Sequence, residues 1–225
     1  MKQLIPCSAL LLALTALLLF SACSDAPKGD QVKIGSAEKA AQAIGQTYMI
    51  DTSTSRIHFV GNGVGKNHPG NFHLKSGSVA VSNNQITGGE FVLDIKSMVL
   101  EQQGAMIKEK LGPHLMSGDF LDAGKFNTAK FVITQVTPYQ PGAGADTSIV
   151  QGANFNVSGN LTIKEDTKNI TFPAKIDLDG NTLKAKSNFN IDRTQWRINY
   201  GNDKTLGDKF ISETVNIRLD LDAKK

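Results

Sequence analysis

Ile170-Thr171-Phe172-Pro173-Ala174-Lys175-Ile176-Asp177-Leu178-Asp179 alternates without a break, with every even position apolar and every odd one polar or proline. A period of two is what a β-strand produces when one of its faces is buried and the other is wet. The same alternation runs through Phe155 to Ile163, Leu183 to Ile191 and Val215 to Leu221. Earlier in the chain, strands are expected at Tyr48 to Asp51, Ile57 to Val60, Phe72 to Val81, Ile86 to Ile95 and Phe131 to Thr137. Turn residues at Ser82-Asn83-Asn84, Glu165-Asp166-Thr167 and Asp179-Gly180-Asn181 fall where hairpins need them. Gly88-Gly89 shifts the apolar phase between Ile86 and Phe91, which predicts a bulge or bend. One helical segment is expected, from Glu101 to Leu111, and no repeat of fixed period is present.

Many strands joined by short turns make an all-β chain, either a two-sheet sandwich or a closed barrel, and closure alone removes every exposed edge. A membrane-spanning barrel would alternate too. One Trp and three Tyr are too few for interfacial girdles, however, and the chain ends in Asp222-Ala223-Lys224-Lys225 rather than in an aromatic residue.

The N-terminus has a different character. Lys2 is followed by an apolar core from Ala9 to Phe20 and then by small residues, the pattern of an export signal over residues 1–22. A core of about a dozen residues falls short of the roughly 20 that span a hydrocarbon layer. The junction Leu19-Phe20-Ser21-Ala22-Cys23 resembles a bacterial lipobox, with Phe20 where Leu is commoner. Cys23 is then the expected lipidated first residue of the mature chain. Cys7 leaves with the signal, so no intramolecular disulfide can form and core burial must hold the fold. Ser24, rather than Asp, follows the cysteine, which in Gram-negative sorting permits release to the outer membrane. An envelope lipoprotein facing the periplasm is therefore expected. Residues 23–46, rich in Ala, Lys, Gly and Ser, read as a flexible tether, and residues 47–225 as one domain. The formal charge is only +3 with no long basic block, so nucleic acid is not an expected partner.

Four short motifs carry a family likeness in their order and spacing: Gly70-Asn71-Phe72, then His114-Leu115-Met116-Ser117-Gly118-Asp119-Phe120-Leu121-Asp122, then Gly159-Asn160-Leu161-Thr162-Ile163, then Asp192-Arg193-Thr194-Gln195-Trp196. From about Tyr48 to Leu221 the chain resembles the YceI-like family of polyisoprenoid-binding proteins. The resemblance implies an eight-stranded antiparallel, lipocalin-like barrel around a long apolar tunnel for an isoprenoid chain. Two departures stand out. Leu111-Gly112-Pro113 occupies the place where many relatives have an Arg-Asp pair, and Leu121 replaces the second ring of a Phe-Phe-Asp step.

An isoprenoid tail is a branched hydrocarbon, so its channel needs apolar walls with few polar atoms. The expected wall contacts are Phe91, Leu93, Phe131, Phe155, Leu161, Phe172, Phe189 and Trp196. Each of them could equally fill a solid core. A phosphate or quinone head would want donors at the mouth, for which Arg193 and Arg197 beside Trp196, and His114, are the candidates. His58, His68, His73 and His114 show no compact ligand spacing. His68 reads as part of a turn, and no metal is expected. No Gly-x-Ser-x-Gly elbow, phosphate-binding loop or Cys-x-x-Cys is present. His114, Ser117 and Asp119 are close in sequence, but a triad needs spatial alignment. The expected function is carriage, storage or shielding of an isoprenoid-like lipid, with no cofactor and no turnover. A lipid-modifying or hydrolytic enzyme and an interaction scaffold with a filled core stand as alternatives.

Overall fold

Eight strands with one apolar face each bury those faces here by closing on themselves rather than by packing as two sheets. The computed structural model describes residues 26–63, 65–141 and 147–225. In chain order the strands are β1 (Asp30–Gln31), β2 (Lys33–Ser36), β3 (Gln46–Ile50), β4 (Arg56–Gly63), β5 (Lys66–Ser82) and β6 (Gln85–Leu100), then, after the helical segment, β7 (Thr128–Pro138), β8 (Phe155–Ile163), β9 (Asp166–Asp179), β10 (Thr182–Asp192) and β11 (Ile211–Lys224). Strands β3 and β4 are two halves of one barrel strand, broken where the Asp51 carbonyl turns back to accept the Ser55 N–H at 2.9 Å. Both halves lie between β5 and β11, which closes the circle of eight antiparallel strands.

The turns follow their residues. Asn83 and Asn84 both have positive φ, 51° and 60°, which suits a tight two-residue hairpin and which Asn tolerates well. The expected bulge is present: Ala80 pairs with Gly88 and Val81 with Ile86, leaving Thr87 as the extra residue. The helical segment begins later than expected, because the Glu101 N–H still reaches the Pro69 carbonyl at 3.0 Å. A π-helical turn at Met106–Leu111 then runs into α1 (Gly112–Met116). Pro113 stands at the junction of the two, where the ring's missing N–H leaves one bond out of the helical run.

The described part of the expected tether is not loose. Strands β9 and β10 pair only from Lys175 to Asp179 against Thr182 to Lys186. Pro173 explains the stop. Its carbonyl faces β10, where it accepts the Ser187 hydroxyl at 2.6 Å, and a proline offers no N–H on that same edge to continue the ladder. Into the resulting seam comes the N-terminal segment: β1 pairs in parallel with Phe189 and Asn190, and β2 pairs antiparallel with Lys168 to Thr171. Val32 and Ile34 pack against the core. The following residues lie along another thin part of the wall, since β6 and β7 pair only from Glu90 to Asp94. There the Ala41 N–H reaches the Ile133 carbonyl at 3.0 Å, and Thr87 Oγ1 accepts from Ile44 N–H at 3.1 Å while donating to the Ile44 carbonyl at 2.6 Å. Residues 30–44 are therefore a strap that seals the barrel. The sequence showed polarity there but not these unpaired edges, which exist only once the barrel has formed. Cys23 and the apolar signal core lie outside the described residues.

Candidate functional site: an apolar cavity

The inward faces do not meet. They enclose a cavity of about 340 Å³, at the lower end of the size range of small-molecule sites. Six of the eight expected wall residues line it: Phe91, Leu93, Phe131, Leu161, Phe172 and Phe189. Four of them form a row of rings across β6, β7, β9 and β10, with centroids 6.2 Å apart for Phe91–Phe131, 5.8 Å for Phe131–Phe172 and 4.2 Å for the stacked pair Phe172–Phe189. The last pair bridges the β9–β10 seam from inside. Rings in contact with one another give a wall that is rigid as well as apolar.

Two glycines make room for this wall. Phe131 lies flat over Gly159 of the neighbouring strand, so closely that a Cβ at 159 would overlap the ring. Phe59 covers Gly70 in the same way, with ring atoms 2.5–2.6 Å from where a Cβ would stand. Any side chain at either position would push a ring inward. Phe59 and Phe72 also line the cavity, and their rings are 4.9 Å apart. Their places in the alternating stretches around them were the signal that could have named them. At one end Leu111 and Leu115 of the helical segment, with Phe120 and Leu121, complete the lining, and no periodicity marks those loop residues.

Phe155 and Trp196 are not on the cavity wall. Phe155 begins β8, paired with Pro138 and Ala174, and packs partly buried against the core. Trp196 is fully buried, and its Nε1–H donates to the Leu161 carbonyl at 3.0 Å, which ties the short 3₁₀ segment Arg193–Trp196 to β8. That segment is opened by Asp192, whose carboxylate accepts from Thr194 N–H at 2.9 Å. Burial pushes the Asp192 pKa up, but the hydrogen bonds from Thr194 and Gln195 outweigh it and hold the carboxyl below its usual range.

The three expected head-group residues are differently placed. Arg193 reaches the cavity but is only 5% exposed, and its guanidinium donates to backbone carbonyls: Nε to Ser212 at 2.8 Å, Nη2 to Tyr200 and Ile211 at 2.9 Å each, and Nη1 to Ile198. It fastens the loop at Ile198 and Tyr200 to the start of β11 at Ile211 and Ser212. Arg197 lies outside the cavity. Its left-handed backbone, φ 53°, turns the chain after Trp196, and its side chain pairs with Asp166 at 2.6 Å and Glu165 at 3.4 Å. The Asp166 carboxylate raises the Arg197 pKa, and Lys125 lowers that of Glu165. His114 does not line the cavity. Its Nε2 is 2.9 Å from Asp119 Oδ2, and its ring meets Tyr200 and Phe120 edge-on at 4.7 and 5.1 Å. Ser117 Oγ donates to the His114 carbonyl at 2.8 Å, so this hydroxyl is committed to the turn. His68, expected in a turn, lies within β5 and lines the cavity.

Residues 48–223 match the YceI-like domain. The chain belongs to this family. It is 31% identical over 131 residues to the UPF0312 protein VVA0736 of Vibrio vulnificus strain YJ016, an alignment that covers 57% of this chain and 61% of that protein. It therefore spans less than two thirds of the length of the curated relatives it matches. Among solved structures the barrel is similar to BcnA of Burkholderia cenocepacia, with a TM-score of 0.58 and 20% identity over 77% of this chain and 98% of that one. A polyisoprenoid-binding domain from Saccharophagus degradans, implicated in plant cell wall breakdown, gives a TM-score of 0.56 at 16% identity, covering 79% and 97%. At these identities the likeness is one of fold. Within this YceI-like chain the family-like motifs have visible physical roles. Gly70 and Gly159 lie under rings, Asn160 Nδ2 donates to the Glu38 carbonyl of the strap at 2.6 Å, and Arg193 and Trp196 lock the loop end of the barrel.

Proposed function

We propose that this YceI-like protein holds the hydrocarbon chain of an isoprenoid-like lipid inside its barrel, for carriage, storage or shielding, without transforming it. The observation that carries this reading is the unfilled apolar interior with its row of phenylalanine rings. A hydrocarbon gains roughly 25 cal/mol for each Å² it removes from water, and such walls demand no polar compensation. The polyisoprenoid-binding function named for the Saccharophagus degradans neighbour accords with it. In keeping with a role without turnover, the Ser117 hydroxyl beside His114 donates to a backbone carbonyl rather than to the imidazole. Protein purified without detergent and examined by native mass spectrometry should carry a lipid, identifiable after extraction. Leu161→Trp, which fills volume at the wall while staying apolar, should fold and lose it; equal lipid in a folded Leu161→Trp protein would refute the reading.

Export and anchoring are part of the same proposal. Cys23 at the end of the lipobox-like run is the acylation site, and more than one acyl chain is needed for lasting attachment. Cys23→Ser should move the protein from the membrane to the soluble exported fraction, and an unchanged intact mass would remove the anchor.

A further inference from the structure

The cavity has polar groups on its lining, and nearly all are already committed. Arg193 spends its guanidinium on carbonyls, Ser187 donates to the Pro173 carbonyl, and Ser212 Oγ accepts from Thr214 N–H at 3.1 Å. Lys130 and Lys186 touch the cavity from strands whose outer face they occupy, with their ammonium groups paired to Glu90 at 2.7 Å and Asp220 at 3.5 Å. Asn62 Nδ2 donates to Asn67 Oδ1 at 2.9 Å.

His68 is different. Gln102 Nε2 donates to the Asn67 carbonyl at 2.9 Å, which fixes the orientation of that amide because a carbonyl can only accept. Gln102 Oε1 therefore faces His68 Nδ1 at 2.8 Å and must receive its proton. The neutral ring then carries its lone pair on Nε2, an acceptor without a partner among the described residues. Directly across the β4–β5 ladder from His68 stands Gly61, which also lines the cavity and over which a Cβ would meet nothing within 4 Å. An oriented acceptor thus borders an open space at the β4–β5 end of an apolar cavity.

We propose that His68 receives the head of the bound lipid, and that this head is uncharged and donates a hydroxyl, as a polyprenol or a prenylated phenol does. The proposal rests on the lipid-binding reading above and adds the head-group class to it. A phosphate brings between about one and two negative charges, and among the described lining residues the one guanidinium, that of Arg193, is already spent on backbone carbonyls. Gln102 is a positioning residue: it sets the tautomer of His68 and does not touch the ligand.

Three C20 isoprenoids with one chain and different heads separate the terms: the alcohol, its methyl ether, which cannot donate, and its monophosphate. Titrated into delipidated full-length protein, the alcohol should bind several-fold to about tenfold more tightly than the ether, the range of one net hydrogen bond, and more tightly than the phosphate. His68→Phe should abolish the alcohol's advantage while leaving ether affinity within about twofold. Gly61→Leu, which fills the space opposite with the imidazole intact, should reduce the same advantage, and thermal melting checks that both variants are folded. Equal binding of alcohol and ether by the wild type, or tightest binding of the phosphate, would overturn the role of His68 while leaving the hydrocarbon site standing. Failure of all three ligands to bind would overturn both.

Discussion

Arg193 divides two readings of one side chain, and its replacement measures which holds. In Arg193→Met the stem is retained and four carbonyls, those of Ile198, Tyr200, Ile211 and Ser212, lose their donor together. A buried acceptor left unsatisfied costs about 1–3 kcal/mol. The bond to Ile198 is fully buried, whereas the other three are partly buried, so water can replace part of what they lose. The net expectation is about 3–5 kcal/mol, the range found when one partner of a buried charged network is removed. At about 2–4 °C per kcal/mol for a domain of this size, the melting temperature should fall by roughly 6–20 °C. Arg193→Lys should recover only part of this, because one ammonium cannot span carbonyls spread from residue 198 to residue 212. Thermal and urea melts of the three proteins, with parallel titration of an isoprenyl phosphate and its alcohol, give the answer. A protein that keeps its melting temperature in Arg193→Met but loses affinity for the phosphate alone would show that the guanidinium serves the ligand and not the loop.

Gly159→Val should displace the Phe131 ring, at a cost of about 1–3 kcal/mol for overpacking, and reduce copurifying lipid, as read by urea denaturation and lipid extraction. Asp192, whose folded pKa lies below its ordinary value of about 3.9, contributes stability that is fully present above that value and is lost as pH falls through the folded one. The difference in urea midpoint between wild type and Asp192→Asn should therefore be constant above about pH 5 and shrink below about pH 4; a gap that widens in acid would contradict the assignment. Ile34→Asp, in the strap, should raise amide exchange at Lys168 to Thr171 on β9 before it affects the exchange of β5, and uniform protection would show that the strap does not support the wall.

Strands were legible in this sequence because a half-buried strand writes its two faces into alternate residues, and β8 runs from Phe155 to Ile163 in both readings. Closure was not legible from alternation, since a sandwich alternates equally; the motif order supplied it. Alternation also gives a side chain's face without its depth. Phe155 points inward by parity yet stands at the end of its strand, off the cavity wall. Trp196 belongs to a 3₁₀ turn, where a period of two has no meaning. Arg193 and Arg197 flank one tryptophan and look like a pair, but Arg193 turns into the barrel while the chain goes left-handed at Arg197, whose side chain goes to Asp166. His68 looked like a turn residue because glycine and proline surround it, although β5 passes through them, with Pro69 and Gly70 facing β4 in register with Val60 and Phe59.

Pro173 ties these failures together. In the alternating stretch it counts as one more outward residue, and that is how period-two reasoning treats it. Its chemistry is more specific, for it removes a donor from the edge of β9 that faces β10, so the two strands must part beyond Lys175 and Lys186. A parted wall around an apolar cavity would admit water. The chain closes it twice, inside with the stacked rings of Phe172 and Phe189 and outside with β1 and β2, whose own backbone groups satisfy the orphaned edges of β9 and β10. The strap is thus no accessory to the barrel but the ladder that Pro173 removed, supplied by a different part of the chain. A segment with no pattern of its own can be ordered when its role is to complete someone else's hydrogen bonds.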